Sequence, residues 1–138
     1  MMRSYETFST TADAGIRIRG RDFAELYGNA FRGMNVLLFG ANLRSASGCA
    51  TLPFHYRGDG PESVLVNFLS EVLFQVYQKG RRVAAAEIEH ADRRSLDAKL
   101  RLSPCRRTPR IEIKSVTYHN LRVIEGKGVL RAAIVFDV

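Results

Sequence analysis

Two hydrophobic periods alternate along the chain, and the points where they change mark the elements. Between Tyr5 and Arg19, Ile16 and Ile18 alternate with Arg17 and Arg19 at the two-residue step of a strand. The polar stretch TTADAG within it reads as a turn between one or two short strands. From Asp22 the step lengthens to three and four. Phe23, Leu26, Tyr27, Ala30, Phe31, Met34, Leu37 and Leu38 then share one face of a helix. Asp22 is placed to cap its first turn, Glu25 completes a capping-box pattern, and Gly40 suits a left-handed stop.

CATLPFHYRG reads as a strand that Pro53 pushes towards a sheet edge or a bulge. A second helix follows, with Pro61 at its start and Gly80 just past its end. Leu65, Phe68, Leu69, Val72, Leu73 and Val76 are its core face, and Val64, Val66 and Phe74 widen the apolar arc. After Gly80 the period is that of strands. VAAAEIEH, SLDAKLRL, RIEIKSVTYH and NLRVIEGKGVLRAAIVFDV follow in turn, with a hairpin turn at Glu125-Gly126-Lys127-Gly128. The predicted order is roughly β-α-β-α-β-β-β-β. Two helices packed on one face of a mostly antiparallel sheet make an α+β fold.

Composition narrows the class. The 138 residues fit one domain spanning 1–138, and 46% hydrophobic with 25% charged residues is an ordinary globular balance. No apolar run reaches the ~18 residues of a membrane span, and MMRSYETFST has no apolar signal region. Cys49 and Cys105 form no CxxC, which argues against a structural zinc site and against a disulfide scaffold. A cytoplasmic protein with reduced thiols is expected. The net charge is +7, and arginine supplies seventeen of the 21 basic residues. Such a field favours nucleic acid or an acidic partner, and equally fits a solvated basic surface.

The sequence lacks GxxxxGK[ST], HExxH, GxSxG and a GxGxxG followed by an acid. His55, His90 and His119 sit singly, as structural histidines do. GKG at 126–128 has no helix behind it and reads as a turn rather than a phosphate loop. Two acids stand out. Asp13 lies in a polar turn flanked by Thr10 and Thr11, where it can cap backbone amides. Asp137 ends a strand whose alternate face, Ala133 and Val135, is apolar, so the strand reads as interior with the acid emerging at the sheet's end. Pattern alone leaves both acids open between solvated and functional.

TADAGI near the start, EIKSVTYHNLRV late and a terminal IVFDV together resemble the archease family, and NFLSEVLF resembles that family's long apolar helix. The resemblance spans almost the whole chain. It implies an α+β archease-like fold and a role as accessory factor, not enzyme, for the GTP-dependent RNA-splicing ligase. In that role the protein promotes guanylylation and multiple turnover, with RNA reached through the ligase and no membrane involved. The resemblance also implies metal ligation by Asp13, Asp137 and an oxygen of Val138. Such hard oxygen donors suit Ca²⁺, Mg²⁺ or Mn²⁺. Glu112 and Lys114, two apart on one strand face, become supporting or ligase-contacting candidates. Lys114 could pair with Asp13 or Asp137, or meet phosphate. Tyr118 and His119 are expected to shape the turn and pack it. Ser9-Thr10 replaces the family's Asp-His, and the SPCRRTPR loop is shorter and more basic than in many relatives. Two other readings stay open: a stand-alone basic RNA-binding module, and a small metal-dependent phosphotransferase or hydrolase.

Overall fold

The structure is a computed structural model describing residues 4–10, 13–40, 50–105 and 107–138. Its elements are β1 (Tyr5–Ser9), β2 (Asp13–Gly20), α1 (Phe23–Phe39), β3 (Ala50–Arg57), α2 (Pro61–Tyr77), β4 (Arg81–Ala91), β5 (Ser95–Pro104), β6 (Ser115–Val116), β7 (Ile124–Gly126) and β8 (Val129–Asp137). The class is α+β as expected, with two strands before the first helix. The strands divide into two antiparallel sheets. One has the order β1-β2-β8-β6, with β7 also on β8; the other is β3-β5-β4. Among the described residues, no helix is long and apolar enough to cross a membrane.

Each helix touches both sheets: α1 meets β1, β2, β8 and β4, and α2 meets β3, β4, β5 and β6. One hydrophobic cluster joins them. It holds Ile16 and Ile134 from the five-stranded sheet, Leu26 and Met34 from α1, Phe68 and Leu69 from α2, and Leu96 and Leu100 from β5. The six predicted core residues of α2 are all buried, whereas Phe74 is 45% exposed and Lys79 sits over its ring. Its place on the helix turns it past the edge of the packed arc. β3 pairs only with β5, so Pro53 does lie on an edge strand.

The caps follow the sequence with two differences. The Asp22 carboxylate accepts the Glu25 N–H at 2.8 Å, but Glu25 accepts from the Arg21 N–H and pairs with its guanidinium instead of returning to Asp22. Gly40 has φ +93° and ψ 170°, so the helix stops in a conformation open to glycine but outside the left-handed helical well. At the hairpin, Lys127 and Gly128 both take positive φ, as a tight turn between β7 and β8 requires.

Of RIEIKSVTYH, only Ser115–Val116 pairs as a strand. The preceding amides are satisfied elsewhere. Arg110 N–H donates to Leu38 O at 2.6 Å, and Ile113 N–H donates to the Tyr77 hydroxyl at 3.1 Å. β8 is interior in the sense expected, since it is paired on both edges. Only one of its faces is packed: Ile134 and Phe136 are fully buried, while Arg131, Ala133 and Asp137 face outwards.

Candidate metal centre at the end of the β2–β8 ladder

Hydrogen bonds to Thr10 position Asp13. Thr10 N–H donates to Asp13 O at 2.7 Å, and Asp13 N–H donates to the Thr10 hydroxyl at 3.1 Å. Asp13 is the first residue of β2, so the last three residues of the expected TTADAG turn belong to the strand. Thr11 lies outside the described residues. At the other end of the chain, buried Ile134 and Phe136 anchor β8, and Asp137 O accepts the Lys114 N–H at 2.7 Å. The ladder register then sets Asp137 directly opposite Asp13 on one side and opposite Ser115 on the other. Val138 continues beyond, half-buried and packed against the core.

Direct cross-strand partners share a face, with Cβ atoms about 4.5–5.5 Å apart. Both carboxylates are exposed, and neither forms an ion pair among the described residues. Like charges so placed repel and cost stability. A cation between them would reverse the sign of that interaction.

The donor chemistry fits a hard cation: two carboxylates, with an oxygen of Val138 next along the chain from Asp137. The fit is partial. Among the described residues no three His, Cys, Asp or Glu side chains gather into a metal-holding group. Since Ca²⁺ takes about six to eight oxygens, most positions would be left for water, phosphate or another protein.

Lys114 touches Asp137 through its backbone and forms no ion pair with either acid. Glu112 and Lys114 are both exposed around buried Ile113, but on an irregular segment rather than a strand. Glu112 lies towards Tyr77, whose phenol is raised first by burial and also by that carboxylate. Ser9 and Thr10 place backbone and a hydroxyl, not a histidine, beside Asp13. Tyr118 is 55% exposed, so it shapes the turn, where its carbonyl accepts the Leu121 N–H at 3.0 Å, without packing into it.

Other candidates are structural. His55 and His90 pair with Asp97 and Asp92 at 2.8 and 2.9 Å. Asp92 closes the β4–β5 turn, accepting from Arg94 N–H, Ser95 N–H, the Ser95 hydroxyl and His90. The Arg94 amide, then His90 and Ser95, hold its carboxyl well below the usual range. In NFLSEVLF, Asn67 bonds back to Ser63 O, and Glu71 accepts from Gln75. Cys105 is a free thiol, and Cys49 lies outside the described residues.

The reading of the sequence missed a second like-charge pair on the same ladder. Arg19 and Arg131 are direct partners, six residues from the acid pair and so about 20 Å away. The alternation of Arg17 and Arg19 with isoleucines was its only visible half.

Comparison with known proteins agrees with this architecture. The model of the Archease protein family (MTH1598/TM1083) matches residues 5–138. The protein archease of Thermoplasma volcanium is 31% identical over 138 residues, covering 98% of this chain and 99% of that one. That of Pyrococcus abyssi is 30% identical over 130 residues, covering 88% and 89%. The solution structure of Methanobacterium thermoautotrophicum protein 1598 superposes with a TM-score of 0.71 at 24% identity, over 99% of this chain and 100% of that one. A Thermotoga maritima crystal structure, described as an archease and possible chaperone, gives 0.69 at 22%, over 100% and 98%. With the family match running across both acids and both sheets, the chain belongs to the archease family.

Proposed function

We propose that this protein activates the GTP-dependent RNA-splicing ligase as a cytoplasmic protein cofactor, acting as a single unit over residues 1–138. In this reading Asp13, Asp137 and an oxygen of Val138 hold a divalent cation at a tip that enters the ligase's active-site cleft. Membership of the archease family supports the partner. One observation carries the site: two acids from opposite ends of the chain face each other across one ladder, without ion-pair partners among the described residues. When bound, the cation supplies positive charge that can neutralise phosphate during guanylylation. Asp13 and Asp137 orient it, and buried Phe136 fixes where Asp137 stands. Lys114 holds the Asp137 main chain, and Glu112 is left as an exposed contact.

The test is ligase turnover. The cognate ligase, GTP, Mn²⁺ and a broken RNA are combined with and without this protein. Wild type is expected to convert a single-turnover reaction into a multiple-turnover one. Asp13→Ala and Asp137→Ala are expected to stay folded and lose most of that gain. No gain with wild type defeats the activator reading. Full gain with both variants defeats the site.

A further inference from the structure

The open face of the five-stranded sheet carries a basic groove that the acid pair does not explain. Arg17 and Arg19 come from β2, Arg131 from β8 and Arg122 from the segment before β7, around a cavity of about 350 Å³. Glu6 lines it too, opposite Arg17 in the β1–β2 ladder. Even so, none of the four arginines has a carboxylate within ion-pair distance among the described residues. Four cations elsewhere do find carboxylates: Arg101 pairs with Glu87, Lys99 with Glu89, Arg93 with Glu125 and Arg21 with Glu25. Four arginines outside ion pairs thus share this one face, and Arg19 directly opposes Arg131 there. Such an arrangement costs the fold stability and is relieved by an anion between the guanidiniums.

The groove also has apolar surface. Ile124 is 59% exposed at its rim, and Ala133 is part of its lining. Farther along the same face, the Arg17 guanidinium lies 4.7 Å from the Phe8 ring centroid. An acidic peptide would use the charges and leave this surface idle. A single-stranded nucleic acid uses both, with phosphates on guanidinium forks and bases on apolar or stacked planar surface. We propose that this face binds single-stranded RNA directly, with Arg19, Arg122 and Arg131 taking its phosphates. This binding needs no ligase and does not rest on the activator reading.

The experiment is fluorescence anisotropy of a labelled oligouridylate, about twelve nucleotides long to suit a single-domain site, with the purified protein alone. Salt is varied between about 50 and 200 mM. The triple variant Arg19→Glu, Arg122→Glu, Arg131→Glu is compared with Arg57→Glu, Lys79→Glu, Arg94→Glu, which removes equal charge from exposed positions elsewhere. The groove variant is expected to weaken binding at least about tenfold and to flatten the slope of log K against log salt by about two, the yield of three lost phosphate contacts. The other triple is expected to change affinity by less than about threefold, the effect of net charge alone. Circular dichroism melts check folding, and glutamine replaces glutamate at the groove if the glutamate variant unfolds. Equal losses in both triples would reduce the binding to net charge and overturn the proposal. So would no binding by wild type at the lowest salt, or competition by polyglutamate as effective as by unlabelled RNA.

Discussion

At Asp13 and Asp137 the register of the ladder does the work that a ligand cluster does elsewhere. Two exposed carboxylates held directly opposite each other cost about 0.2–1 kcal/mol relative to a neutral pair. In metal-free buffer, Asp137→Asn is therefore expected to raise the melting temperature by about 1–3 °C for a chain of this size. Adding a divalent cation should raise wild type more than the variant; a lower melting temperature for the metal-free variant would contradict the opposed pair. Asp92 behaves differently. Its folded carboxyl is held below the ordinary range by hydrogen bonds, so its contribution is present above about pH 4 and fades as pH falls further. Urea midpoints followed downwards from about pH 5 should decline more steeply for wild type than for Asp92→Asn. Parallel declines would remove Asp92 from the acid response.

The elements explain why the site was half legible. The terminal strand could be read from Leu130, Ala132, Ile134 and Phe136, and its end fixed Asp137. That Asp13 faces it could not be read, because pairing between the first and last long strands is a matter of topology, which local period does not encode. The 110–114 segment was misread for the opposite reason: its alternation is real, but the Arg110 and Ile113 amides bond α1 and Tyr77, and the Lys114 amide alone is seen to reach a neighbouring strand, at Asp137 of β8. Gly15, inside TADAGI, shows how closely β1, β2 and β8 approach. A Cβ there would collide with the Phe8 ring on one side and the Ile134 carbonyl oxygen on the other. Gly15→Ala is expected to cost about 1–3 kcal/mol by overpacking, measured by urea unfolding; an unchanged midpoint would show the strands yield freely. On α2, Phe68 is fully buried between Phe31 and Phe54. Phe68→Ala should cost about 3–5 kcal/mol by the same method, and a loss below about 1 kcal/mol would contradict a tightly packed junction.

Over the whole molecule, charge is sorted along one ladder. Acids oppose each other at one end and arginines at the other, both on the open face of the five-stranded sheet. The net charge of +7 was plain in the sequence, but its location was not, because Arg122 and Arg131 reach the β2 arginines only through the β8 pairing. The most direct measurement of the central claim is Mn²⁺ titration of the ¹⁵N-labelled protein, read by paramagnetic broadening of its amide resonances. At substoichiometric Mn²⁺, the amides of Asp13, Lys114, Asp137 and Val138 are expected to broaden first, with those of Arg19 and Arg131, about 20 Å away, still sharp. Broadening centred on another carboxylate, such as Asp92 or Asp97, or spread evenly over the molecule, would contradict a metal centre at the Asp13–Asp137 pair.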